Sequence, residues 1–165
     1  CGMFYVNERW LGGTLTNFST IKRSINRLKV LEKESSDLYK NLTKKELTQL
    51  NRERNRLSDL HRGIRDMRYL PAALFIIDAN NEKIAILEAK RLGIPVFALV
   101  DSNTSPLDVD YAIPGNDDSI KSIGAILNHV SALLLELNSE KEEISKKQDE
   151  TVKEAKWAQQ KQLKN

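Results

Sequence analysis

The sequence predicts an α/β protein in which a parallel sheet flanked by helices carries an inserted antiparallel pair of helices. Three observations predict it. Two short apolar runs, Ala73 to Asp78 and Pro95 to Val100, are separated by a helical stretch of crossover length. Upstream of them the apolar spacing switches to the three-and-four pattern of amphipathic helices. The charge divides along the same line: residues 16–68 hold 14 Lys+Arg against 7 Asp+Glu, whereas residues 69–137 hold 4 against 9. A modest net charge of +3 over 165 residues therefore hides a basic segment beside an acidic one.

The elements follow in order. Ile21, Ile25 and Leu28 share one helical face with Leu31 beside it, and Ser35-Ser36-Asp37 breaks that helix. Thr43 and Glu46 have the spacing of a capping box, in which the threonine hydroxyl accepts from the first turn and the glutamate reaches back. Leu47, Leu50, Leu57 and Ile64 then repeat at heptad-like spacing, with Arg54 and His61 between them. Two such helices with narrow seams predict a projecting hairpin. Arg54 on the seam predicts a side chain that snorkels outward or marks a contact with something else. The run Ala73 to Asp78 reads as a strand buried on both faces, with Asn80-Asn81 as helix caps after it. Residues 82–92 read as a helix with Ala85, Ala89 and Leu92 on its inner face, closed by Gly93. Pro95 to Val100 is the second strand. Strand, helix, strand at this spacing gives parallel neighbours and a right-handed crossover. A third strand runs from Asp110 to Ile113. Asn116, Asp117 or Asp118 then caps a long helix whose stripe, Ile120, Ile123, Leu127, Val130, Leu134 and Leu137, suits packing on a sheet. The predicted boundaries are residues 1–16 with 67–137 for the α/β domain, 17–66 for the helical hairpin, and 138–165 for a charged tail. That tail, rich in Lys, Glu and Gln, reads as solvated helix or disorder.

Several function classes lose support. One cysteine, Cys1, gives neither a disulfide framework nor metal-finger spacing. No continuous apolar run reaches the roughly 18 residues of a membrane span, and the opening residues do not read as a signal peptide. Gly12-Gly13 matches no phosphate-loop pattern. It reads as a tight turn, or as a turn that also brings backbone amides near a phosphate. His61 and His129 have no metal or nucleophile partner at useful spacing and read as surface or core-edge residues. Asp78 and Asp101 end their strands, where open parallel sheets bind ligands. With Asp108, Asp110, Asp117 and Asp118 they could hold a hard cation or serve as caps. A small nucleotide- or metal-dependent α/β enzyme using Asp78, Asp101 and Asp117 is therefore the alternative to a binding protein.

The basic set carries more information. Lys22, Arg23, Arg27, Lys29, Arg52, Arg54, Arg56, Arg62, Arg65 and Arg68 line the two helices and their exits. Arginine forks onto phosphate oxygens, so this bias points to a polyanion. Trp10, Phe18 and Tyr69 lie near the hairpin roots, where packing onto the domain is expected ahead of base stacking.

Four stretches, NERWLGGTLTNF (Asn7–Phe18), LPAALFIID (Leu70–Asp78), EAKRLGIPV (Glu88–Val96) and DYAIPGNDDSI (Asp110–Ile120), occur in this order. Together they resemble the bacterial-type small-subunit ribosomal protein two family, in its bacterial or organellar branch, over residues 1 to about 137. The resemblance implies a Rossmann-like domain with a coiled-coil insert, no catalysis and no cofactor. It also implies a place on the small ribosomal subunit, in a bacterial cytoplasm or an organelle. Small-subunit ribosomal RNA, neighbouring ribosomal proteins and the messenger-binding ribosomal protein one are the implied partners, with no membrane. It carries Arg9, Trp10, Thr14, Thr16 and Asn17 over as RNA-interface positions, and Asn116 and Asp117 as partner-binding ones. Family members open with further strands and a helix, a stretch expected to be missing here.

Overall fold

The computed structural model describes residues 1–33 and 42–140. The Ser35-Ser36-Asp37 break and the charged tail beyond Glu140 lie outside the described residues. The chain divides into two units, Gly2–Ser119 and, with Cys1, the segment from Ile120 onward.

The first unit is α/β. Strands β1 (Leu74–Ile77), β2 (Val96–Val100) and β3 (Tyr111–Pro114) form one sheet in the order β1-β2-β3. Both pairings are parallel, with Leu74 opposite Val96 and Phe97 opposite Tyr111. The sheet is central in β2, where Val96, Ala98 and Leu99 are fully buried. Phe97 stacks on Tyr111 with ring centroids 4.4 Å apart. At the start of β2, the Val96 amide donates to the Asp110 carboxylate at 2.8 Å, and the Asp110 amide donates to the Val96 carbonyl. That tie places Asp110 at the edge opposite the strand-end aspartates, so the expected single acidic cluster is divided between two edges. The third strand begins one residue later than expected because Asp110 spends its groups here.

Helix α3 (Lys83–Leu92) makes the crossover, and Gly93 closes it at φ 68°. No asparagine caps its start. Glu82 occupies that position without a side-chain bond, and the Asn81 amide instead donates to the Asp78 carboxylate at 3.2 Å. Asp78 itself takes φ 58°, the left-handed turn that Asp tolerates better than most residues. Ala85, Ile86 and Ala89 are buried and pack with Ile76, Val96, Ala98 and Val100. Leu92, expected on this face, is exposed, and Glu88 is buried in its stead.

Helices α1 (Phe18–Glu32) and α2 (Lys44–His61) pack on each other through Leu28, Leu31 and Leu57, with Leu50 half-buried beside them. The capping box forms, with the Glu46 amide donating to Thr43 Oγ1 and the Thr43 amide donating to the Glu46 carboxylate. The α2 seam differs from the expected heptad pattern. Leu47 is exposed, and Ile64 lies past the helix end in a turn, packed with Ile21, Ile25 and Met67. The His61 side chain lies in the seam instead and is 1% exposed, so it is not a surface residue.

The second unit holds helix α4, Ile120–Glu140. The long helix is present, and none of its residues is buried. By length and composition it is apolar enough to cross a membrane. No continuous apolar run signals it, because its apolar residues alternate with small and polar ones.

Candidate nucleic-acid interface

The residues that enter α1 form a turn wrapped around one carboxylate. Glu88, on the inner face of α3, is 7% exposed. It accepts from the backbone amides of Gly13 at 2.6 Å, Leu15 at 2.8 Å and Thr16 at 3.1 Å. The Thr16 hydroxyl and the Trp10 indole N–H donate to it as well, at 3.3 and 3.4 Å. Burial pushes its pKa up. The three amides and the indole outweigh that and hold it below the ordinary carboxylate value. Leu15 enters the α/β core, and Trp10 packs against the same cluster. Gly13 takes φ 89°, which lets its amide turn inward. The reading in which these amides face a phosphate is therefore corrected: Glu88 fills the nest they make.

The turn hands its geometry to α1. The Asn17 amide donates to the Gly13 carbonyl at 2.8 Å, and Asn17 Oδ1 accepts from the Ser19 and Thr20 hydroxyls. Thr14 is buried, and its hydroxyl donates to the Leu11 carbonyl. Of the five residues carried over from the resemblance, Trp10, Thr14 and Thr16 have their polar atoms engaged within the turn. Arg9 and Asn17 are exposed on either side of it.

The basic residues divide in the same way. Arg27 forks onto Glu53 at 3.0 and 3.1 Å, which holds that carboxyl below its ordinary value. Arg65 pairs with Glu32 at 2.6 Å, and Lys29 reaches Asp66 at 3.4 Å. Arg23 donates to the Thr20 hydroxyl, and the Lys22 ammonium lies 4.8 Å from the Phe18 ring centre. Arg9, Lys22, Arg23, Arg52, Arg56, Arg62 and Arg68 are all exposed. Arg54, the seam departure, is half-buried and is engaged with its surroundings.

A groove of about 560 Å³ lies between the turn and the helix pair, with Arg9, Leu11, Ser24, Arg56 and His61 in its lining. His61 Nε2 is 2.8 Å from the Ser24 hydroxyl, and burial pushes the ring's pKa down. Tyr69 is 82% exposed, so the packing expected of it is absent, whereas Phe18 does pack with Ile21 and Ile25.

At the carboxyl edge of the sheet, Asp117 is buried. Burial, and then the charges of Asp78, Asp101 and Asp118, push its pKa up. The Ser102 amide holds Asp101 down. Among the described residues, no three His, Cys, Asp or Glu side chains converge to hold a metal. Asn116 Oδ1 accepts from the Asp118 and Ser119 amides, an Asx turn that ends just before α4.

The turn that holds Glu88, the strand-end aspartates and the Asn116 turn all lie in residues 1–137, and those residues match the family model described as ribosomal protein S2. The chain belongs to the ribosomal protein S2 family. It is 53% identical over 137 residues to the small ribosomal subunit protein uS2 of Geotalea uraniireducens (strain Rf4), an alignment covering 82% of this chain and 54% of that protein. It is 49% identical over 162 residues to the protein of the same name from Bdellovibrio bacteriovorus, covering 94% and 51%. The chain thus spans about half the length of these curated relatives. Membership in this family removes the support for the enzyme alternative built on Asp78, Asp101 and Asp117.

Sequence reasoning missed Glu88 as a site residue. The available signal was a lone acid between Ala85-Ile86 and Ala89 on an otherwise apolar helix face.

Proposed function

We propose that this S2-family chain is a structural, non-catalytic constituent of the small ribosomal subunit that binds small-subunit ribosomal RNA through the helix pair and the turn at its root. The carrying observation is the run of exposed arginines, Arg9, Arg52, Arg56, Arg62 and Arg68, along the turn, α2 and its exit. Exposed guanidinium groups suit phosphate oxygens. Lys22 and Arg23 extend the surface onto α1. Arg27 and Arg65 contribute to it from their ion pairs. Trp10, Thr14, Thr16 and Asn17 serve it by shaping the turn.

In this reading residues 17–66 form an antiparallel coiled-coil hairpin set into a Rossmann-like domain made of residues 1–16 and 67–137. Residues 138–165 follow as a charged tail. The opposed order of contacts, Ser24 with His61 and Arg27 with Glu53, supports the antiparallel arrangement. Asn116 faces a protein partner, with the buried Asp117 supporting the turn behind it; the messenger-binding ribosomal protein one is the candidate. The protein works at the ribosome of a bacterium or an organelle, without cofactor or membrane.

Sedimentation with small ribosomal subunits stripped of their S2-family protein tests the reading. The chain should travel with the subunits, and added salt should release it steeply. A chain that stays at the top of the gradient at low salt overturns the proposal.

A further inference from the structure

We infer that Glu88 is a positioning residue for the RNA-facing surface, holding Arg9 and the start of α1 in one fixed relation by gathering the turn between them. The inference rests on the RNA-binding reading above and names a residue that touches no RNA.

Glu88 receives five donors from a stretch of seven residues, beginning at the Trp10 indole and ending at Thr16. The two ends of that stretch adjoin the functional parts. Trp10 follows Arg9 directly, and Thr16 precedes Asn17, whose amide is tied to the Gly13 carbonyl as α1 begins. The carboxylate therefore fixes where Arg9 points relative to Lys22 and Arg23 one helical turn on. Its own position is set by α3, whose Ala85 and Ala89 are 2% and 0% exposed. Charge-assisted bonds to amides are stronger than neutral ones, so an ionised acid holds the turn more firmly than an amide could. Gln at position 88 is nearly the same shape, but its NH2 group would face amide hydrogens.

A double-mutant cycle separates positioning from plain fastening. The full chain is measured for affinity to stripped small subunits as wild type, Glu88→Gln, Arg9→Gln, Arg62→Gln and the two doubles containing Glu88→Gln. Positioning predicts that Glu88→Gln weakens binding about tenfold (about 1.4 kcal/mol) while the folded fraction stays complete. It also predicts that Glu88→Gln and Arg9→Gln are non-additive, because the arginine has lost its geometry already. With Arg62→Gln, whose arginine caps the end of α2 and lies outside the turn that Glu88 gathers, the effects should multiply. If Glu88→Gln does not fold, Trp10→Phe removes one donor and keeps a smaller aromatic ring, and the same cycle is run with it. Independent effects in both cycles, or no loss of affinity in a folded variant, overturn the inference and leave the RNA reading standing. If Arg62→Gln and Arg9→Gln are both silent, the RNA reading fails and this inference falls with it.

Discussion

Gly63 shows how a single atom sets the root of the helix pair. A Cβ added there would overlap the Tyr5 carbonyl oxygen and stand 2.7 Å from the tyrosine ring. The Tyr5 amide donates to the Gly63 carbonyl at 3.1 Å, so the opening segment is pinned to the exit of α2 at this point. Backbone cannot move aside as a flexible side chain can. Gly63→Ala should cost about 2–3 kcal/mol, the range of overpacking against a fixed neighbour. Gly12→Ala is the control: a Cβ there meets nothing within 4 Å, and it should change stability by less than about 0.5 kcal/mol. Urea midpoints of the two variants check the contrast, and equal shifts would contradict it. Gly63's role could not be read from the chain, because the clash partner is 58 residues away in sequence. Glu88 was opaque for a related reason: a buried acid is tolerable only with donors, and its donors lie more than 70 residues upstream.

At the scale of elements, the sequence was clearest where local chemistry decides. The capping box at Thr43, the closing glycine at Gly93 and the apolar β2 all follow from neighbours in the chain, and all are present. The α1 face, Ile21, Ile25, Leu28 and Leu31, is buried throughout, since period alone identifies it. The α2 seam was less legible, because heptad spacing ranks every leucine alike while packing does not. Leu57 is 8% exposed and touches Leu28 and Leu31, whereas Leu47 is 41% exposed. Leu57→Ala should therefore cost about 2–4 kcal/mol by lost transfer energy and cavity, and Leu47→Ala about 0.5 kcal/mol or less. Thermal melts of the two variants decide it. Equal costs would mean that the helix pair closes on all four leucines. The strand-end aspartates show the opposite limit: sequence placed them near each other, but sheet register sends Asp110 to one edge and leaves Asp78, Asp101 and Asp117 at the other.

Across the whole molecule, the arginines sort by partner, and sorting changes what a charge count means. The basic segment holds 14 Lys+Arg, yet Arg27 and Arg65 are held by Glu53 and Glu32, and Lys29 by Asp66. Surface pairs of this kind add little stability, but they lower the net field that a polyanion meets. Arg52, Arg56 and Arg62 remain exposed on α2 and just beyond it. Replacing all three by Gln keeps helix propensity nearly unchanged and opens no cavity, so the variant should melt with the wild type. Its binding to stripped small subunits should weaken, with a slope of log affinity against log salt shallower by about two to three units, near one unit per lost phosphate contact. A companion variant, Arg27→Gln with Arg65→Gln, removes two charges that already have carboxylate partners. Those arginines are spent on Glu53 and Glu32 and not on phosphate, so the change in slope should be smaller per arginine than that of the triple variant. Measuring both across one salt series discriminates the models. Equal loss per arginine would mean that the ion pairs open on binding and that all the arginines reach phosphate. No loss in the triple variant would move the RNA-facing surface to Arg9, Lys22 and Arg23 around the turn that Glu88 holds.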